Sequence, residues 1–209
     1  MARQKIVLNT PQLAALARSR SFRHYENPED FQALWRPTDG HSDYMYQTLN
    51  QIGAMFAGDH VEIGTRHGRS AAAVAAYRRN GIVVCIDPMQ DLEVEGTPRK
   101  YNDNHSDRLF ANMRRLGLKI ELVQAYSTPW PLPAFRRFTT ALMDGDHMAP
   151  QPLKDWEALS LVVDNIVLVD DIDQEGVWPA VEAIVAHEDW DWHRLSGFIG
   201  YARRKDGTS

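Results

Sequence analysis

The amino-acid sequence predicts an α/β protein: a doubly wound, mostly parallel sheet of seven strands, the last one antiparallel, with helices on both faces. Two observations carry this expectation. From His60 onward, short apolar runs such as "HVEIG", "GIVVCID" and "NIVLVD" alternate with helical stretches. Strands that alternate with helices imply a parallel sheet covered on both sides. The C-terminal "WHRLSGFIGYARR" has the pattern of a hairpin with its turn near Ser196-Gly197, which supplies the antiparallel strand.

The elements follow in order. "TPQLAALARS" offers Thr10 as a helix cap and Pro11 at the first helical position. "SDYMYQTLNQIGAMF" places Met45, Leu49, Ile52 and Phe56 at spacings of 3 and 4, an amphipathic helix. Residues 1–57 are therefore expected as a helical extension ahead of a domain at 58–209. The strand "HVEIG" leads into an Ala-rich helix, "RSAAAVAAYRR", and the buried strand "GIVVCID" follows. "SDRLFANMRRLG" is a helix with Gly117 after its last turn. "KIELVQ" and "TTALMD" are strands, "PQPLKDWEALSLV" a helix, "NIVLVD" a strand and "WPAVEAIVAH" a helix. Trp156, Leu159 and Leu161 are expected in the core, and the paired arginines on solvated helix surface.

Composition narrows the function classes. The 209 residues suit one domain with an appendage. A hydrophobic fraction of 44% and a charged fraction of 24% are ordinary for a soluble globular protein. The net charge of −5 argues against a nucleic-acid partner bound by bulk charge. Cys85 is the single cysteine, so no internal disulfide forms, which is compatible with a reducing compartment. No run approaches 18 apolar residues, and "MARQKIVLNTPQ" lacks an apolar core like a signal peptide's. The expectation is a cytoplasmic protein with no membrane partner; a homo-oligomer stays open.

Two apolar runs, "TTALMDGDH" and "NIVLVDDI", end abruptly in acid. In doubly wound sheets the ligand lies beyond the carboxyl ends of the strands. Asp144, Asp170, Asp171 and Asp87, which ends "VVCID", all fall there. The first strand runs into "VEIGTRHGRS", so this loop and the acids share one cleft. Alone, E-x-G-x-x-x-G marks only a strand–helix turn, whose glycines allow close approach to the backbone. Asp87 strengthens the functional reading, because an acid about 20 residues beyond such a loop can accept both hydroxyls of a ribose. A dinucleotide loop would read G-x-G-x-x-G, with a pyrophosphate at the helix N-terminus. Here Thr65, Arg66 and His67 stand between Gly64 and Gly68, which favours S-adenosylmethionine.

The order "VEIGTRHGRS", "VVCIDP", "LVQAYS", "ALMDGDH", "IVLVDDI" resembles the class I S-adenosylmethionine-dependent methyltransferases, which are Rossmann-like. More narrowly it resembles the metal-dependent O-methyltransferases of macrolide tailoring, the macrocin and mycinamicin type, over about residues 58–203. The resemblance implies that Glu62, Gly64 and Gly68 hold the methionine part of the cofactor, with Thr65, Arg66 and Ser70 of the same loop. It implies Asp87 on the ribose and Ala125, Tyr126 and Ser127 near the adenine. It implies magnesium, or another divalent cation, on Asp144, Asp170 and Asp171, with Asp144 also beside the cofactor, and His147 of the D-G-x-H motif as a candidate base. The catechol-type relatives usually end the fifth strand in Asp-Asn. Asp170-Asp171 instead points to the sugar type.

The chemistry of the residues agrees. Three packed carboxylates repel unless a cation lies between them, and oxygen ligands suit Mg²⁺. The acceptor is then a small-molecule hydroxyl, a sugar or vicinal diol. Asp170 and Asp171 would otherwise be helix caps, yet Gly176 and Pro179 put the helix start several residues later. Asp146 reads as a solvated turn residue, and His147 as either a base or a surface histidine. The polar stretch Pro88–Asp107 is either a passive insertion or a lid with Tyr101, Asn102 and His105 as contacts. A non-catalytic S-adenosylmethionine or nucleotide-binding module and a different metal enzyme, such as a hydrolase, remain the alternatives.

Overall fold

The computed structural model of the chain describes residues 40–78, 80–89 and 105–205. The helix expected at Thr10 and the stretch holding Tyr101 and Asn102 lie outside the described residues, as does the side chain of His105. The described chain runs α1 (Gly40–Met55), β1 (His60–Ile63), α2 (Arg69–Ala75), β2 (Val83–Ile86), α3 (His105–Leu116), β3 (Ile120–Val123), β4 (Phe138–Met143), α4 (Gln151–Val162), β5 (Val163–Val169), α5 (Trp178–Ala186), β6 (Trp190–Arg194) and β7 (Gly200–Arg204).

The seven strands form one sheet in the order β3-β2-β1-β4-β5-β7-β6. The pairs from β3 through β5 are parallel, and β7 is antiparallel to both neighbours. This is the Rossmann-like sheet the alternation of elements predicts. Strand order reverses at β1/β4, where crossovers leave on opposite faces.

Alternation along the strands divides the core in two. On one face Met45, Leu49 and Ile52 of α1 and Ala71 and Val74 of α2 pack on Val83, Cys85, Leu142 and Leu168. On the other, Trp156 and Leu159 of α4 and Ala180 and Ile184 of α5 pack on Ile63, Ile86, Met143 and Val169. Among the described residues no helix is long and apolar enough to cross a membrane.

Four expectations need correction. The Ala-rich helix stops at Ala75, because the chain turns and sends Arg78 beneath the sheet. There its guanidinium donates to Gly58 O and to Thr140 Oγ1 (2.7 Å for the latter), so Arg78 is not solvated helix surface. Leu161 is 72% exposed rather than core: α4 buries Trp156, Leu159 and Val162, and Leu161 falls on the outer side of that stripe. The fifth strand begins at Val163, two residues before Asn165, because α4 passes into β5 with no intervening loop.

Beside Arg78 stands His60, fully buried, with Nδ1 2.9 Å from Thr140 Oγ1 and no partner on Nε2. Burial, reinforced by Arg78, holds its pKa well below the usual histidine range, so the ring is neutral in the folded protein. Below about pH 6.5 the unfolded chain takes up a proton that the folded chain refuses, and stability falls as pH drops. We expect the unfolding free energy to decline as pH falls below about 6.5, the slope from this residue rising toward a limit of roughly 1.4 kcal/mol per unit. The check is a urea series in which His60→Asn removes that part of the slope; equal slopes in both proteins would assign it elsewhere.

Candidate functional site

Register places the site. Ile63 pairs with Ile86 and with Met143, and Met143 with Val169, so four strands end in line. The next residues on these strands are Gly64, Asp87, Asp144 and Asp170. The ladder continues one bond past the strands: Gly64 N donates to Ile86 O (3.0 Å), Asp144 N to Ile63 O (3.0 Å) and Asp170 N to Met143 O (3.1 Å). The loop and the acids therefore share one edge, as the sequence predicts.

Gly64 has φ 83°, and a Cβ there would stand 1.8 Å from Asp144 O. Only glycine allows this backbone-on-backbone contact. The loop beyond it is organised by Asp87. Oδ2 accepts from Thr65 N (2.9 Å) and Arg66 N (2.8 Å), and Oδ1 from Met89 N (2.7 Å). Arg66, at φ 47°, is held in the left-handed region by that bond. Glu62 lies fully buried beneath the loop, where Oε1 accepts the Thr65 hydroxyl and Ser70 is a second hydrogen-bonding neighbour. Desolvation pushes the Glu62 carboxyl up to about 8 despite these bonds. Gly68 accepts the first amide bond of α2, from Ala72 N at 2.9 Å.

The acids gather around His147. Nε2 lies 3.1 Å from Asp171 Oδ2 and 3.7 Å from Asp144 Oδ1, and one donor atom from each of the three residues lies within 4.8 Å of the others. The bond to Asp144 and the charges of Asp171, Asp144 and Asp170 raise the imidazole pKa against an opposing desolvation. Asp170, expected as a ligand beside Asp144 and Asp171, is buried more deeply at 6% exposure, and the three-donor cluster holds His147 in its place. Desolvation, then the charges of Asp144 and Asp171, push the Asp170 carboxyl up to about 8. Asp171 takes φ 52°, and the loop after it packs so closely that a Cβ on Gly176 would be 1.9 Å from His147 O. Asp146 is the turn residue expected, its Oδ1 accepting Met148 N at 2.9 Å.

Beyond β3, Ala125 is half-buried, Tyr126 57% exposed and Ser127 buried. Sequence reasoning missed Tyr46 and Arg69. The phenol of Tyr46 is hydrogen-bonded to Arg69 and feels the charges of Asp144 and Asp170, which brings α1 to the acids. The signal was available: Tyr46 is an aromatic with a polar tip, one position from the stripe of Met45 and Leu49.

This fold and edge define a Rossmann-like methyltransferase architecture, shared at low identity with solved structures. An O-methyltransferase from Bacillus cereus in complex with SAH matches at 15% identity and TM-score 0.60, over 94% of this chain and 100% of that one. A TDP-rhamnose 3'-O-methyltransferase of calicheamicin biosynthesis matches at 17% and 0.59, over 93% and 92%. An O-methyltransferase of tomaymycin synthesis from Streptomyces achromogenes, bound to SAM, matches at 12% and 0.56, over 94% and 98%. A search of curated protein sequences finds no match. Residues 61–172, more than half of the chain, match the model of the methyltransferase domain, and the chain belongs to that family.

Removing the Asp87 carboxylate should free the loop. In Asp87→Ala we expect the amides of Thr65, Arg66 and Met89 to exchange with solvent at least roughly ten-fold faster, since a hydrogen bond to a charged group contributes about 1.5–3 kcal/mol. Exchange in β1 and β2 serves as the control. Unchanged loop exchange would mean that Asp87 does not organise it.

Proposed function

We propose that the chain transfers a methyl group from S-adenosylmethionine to a hydroxyl of a small molecule, with Mg²⁺ or another divalent cation at the acids, and that the acceptor is a sugar or vicinal diol. The observation that carries this is the meeting of Asp144, His147 and Asp171 on the strand edge that also holds the Asp87-braced loop. The residues fit both groups. A carboxylate offers about four lone-pair sites. Asp87 uses three on amides, leaving capacity for a ribose hydroxyl. The acids fit a dication: burial first, and then the charges of Asp144 and Asp171, force Asp170 toward its neutral form, and positive charge relieves that repulsion. Asp144 and Asp171, with Asp170 or His147, would hold it. Asp-Asp at the end of β5 and the likeness to a sugar O-methyltransferase fold support the acceptor class.

When bound, S-adenosylmethionine supplies an electrophilic methyl group and the cation supplies Lewis acidity. The chain's own part is to hold, orient and deprotonate. Asp87 and the Gly64–Gly68 loop fix one reactant, and well-held reactants gain on the order of 7–11 kcal/mol. With its Nε2–H directed at Asp171 and Asp144, neutral His147 takes the acceptor's hydroxyl proton at Nδ1, and the two carboxylates stabilise the imidazolium so formed. Where His147 is instead a ligand, Asp144 or a water is the base.

Calorimetry with S-adenosylmethionine, with and without Mg²⁺, is the direct test. We expect cofactor binding without metal and turnover only with it. Asp144→Asn or Asp171→Asn should lower turnover at least about 100-fold while sparing most of the cofactor affinity, and Asp87→Ala should do the reverse. His147→Ala should retain cofactor binding and lose rate. Full turnover in exhaustively chelated enzyme would end the metal role. Binding without turnover on any diol would return the chain to a non-catalytic module, and metal-dependent activity without cofactor to a hydrolase.

A further inference from the structure

A second polar cluster lies behind the acids. Asp155 on α4 is 1% exposed. Its Oδ1 accepts the Ser127 hydroxyl at 2.6 Å and the Gln151 side-chain amide at 2.8 Å. The same amide nitrogen lies 3.0 Å from both Ser127 Oγ and Thr128 Oγ1, and the Thr128 hydroxyl donates back to Gln151 Oε1 at 3.2 Å. The other carboxylate oxygen lies beside the acid turn: a Cβ on Gly145 would stand 3.3 Å from Oδ2. Gly145 lies between Asp144 and Asp146.

The cluster changes what Ser127 can do. Its hydroxyl gives its proton to Asp155 and accepts from Gln151, so its bonds point into the protein. What the 125–127 segment offers a ligand is backbone and the exposed Tyr126. Their direction is set from beneath, by a carboxylate whose other oxygen lies beside the turn leading to His147.

We propose that Asp155 is a positioning residue that fixes the adenine subsite, formed by the backbone of Ala125–Ser127 with Tyr126, and couples it to the Asp144–His147 turn. This rests on the S-adenosylmethionine reading above. Burial raises the Asp155 carboxyl pKa against the bonds from Ser127 and Gln151, as expected for a carboxylate enclosed away from water. A buried charge needs such bonds to remain where it is, and losing one moves the loop it holds.

The test compares two ligands that differ only in the base, S-adenosylhomocysteine and S-inosylhomocysteine, by calorimetry. We expect the unaltered protein to prefer the adenine ligand by about ten-fold or more, as sites that hydrogen-bond a group reject the analogue lacking it. Ser127→Ala should cut that preference by about ten-fold, the effect of a sub-ångström to 1 Å displacement. Asp155→Asn, whose amide oxygen still accepts from Ser127 and Gln151, should retain it. Should Ser127→Ala fail to accumulate folded, Gln151→Leu attacks the same carboxylate from a partly exposed position. A lower melting temperature with an unchanged preference makes the cluster merely structural and overturns the proposal alone. No binding of either ligand by the unaltered protein overturns the cofactor reading with it.

Discussion

The site depends on the contact between Gly64 and the backbone of Asp144. Strands β1 and β4 end in register, and the first residue past β1 lies against the first residue past β4 with no room for a side chain. That closeness makes one cleft of two loops. It requires a positive φ at Gly64, which starts the turn toward α2. An alanine there would drive the loops apart and separate the Asp87-braced segment from the acids.

Electrostatics is the second constraint. Parallel strands delivered side by side put Glu62, Asp87, Asp144 and Asp170 on one sheet edge, and water is largely excluded from two of them. Glu62 and Asp170 respond by moving toward neutrality, both to about 8. Asp87 uses its charge on three amides instead. Arg69, the first residue of α2, is the cation brought near, and the turn after β4 brings the imidazole of His147. The edge thus separates acids that build the loop from acids that face His147.

The sheet was legible because its signals are local: apolar runs, acids at their ends, glycines before and after helices. Asp87, Asp144 and Asp171 could be placed because a strand's end fixes where its next residue emerges. Leu161 and Arg78 could not. The first differs from Leu159 only by its angle around α4, and the second is drawn onto Gly58 and Thr140 by a turn that nothing in "AAYRRN" marks. Likewise the fifth strand's acids read as an equivalent pair, but alternation puts Asp170 under α1 and leaves Asp171 with His147. The Asp155 cluster joins Ser127 and Thr128 to residues 23 or more positions away, a separation at which sequence pattern is silent.

The passage of α4 into β5 without a loop makes the stretch from Gln151 to Val169 a ruler. A helix advances about 1.5 Å per residue and a strand about 3.3 Å, so the distance from Asp155 to Asp170 is set by residue count alone. Deleting one residue at Val162 would exchange the faces of Asp170 and Asp171 and rotate Asp155 off Ser127 in the same event. Length variation across relatives should therefore collect in the turns at 148–150, 172–175 and 195–199, outside His147 and Asp171. Such turns can be remodelled for new acceptors while the ruler stays at fixed length.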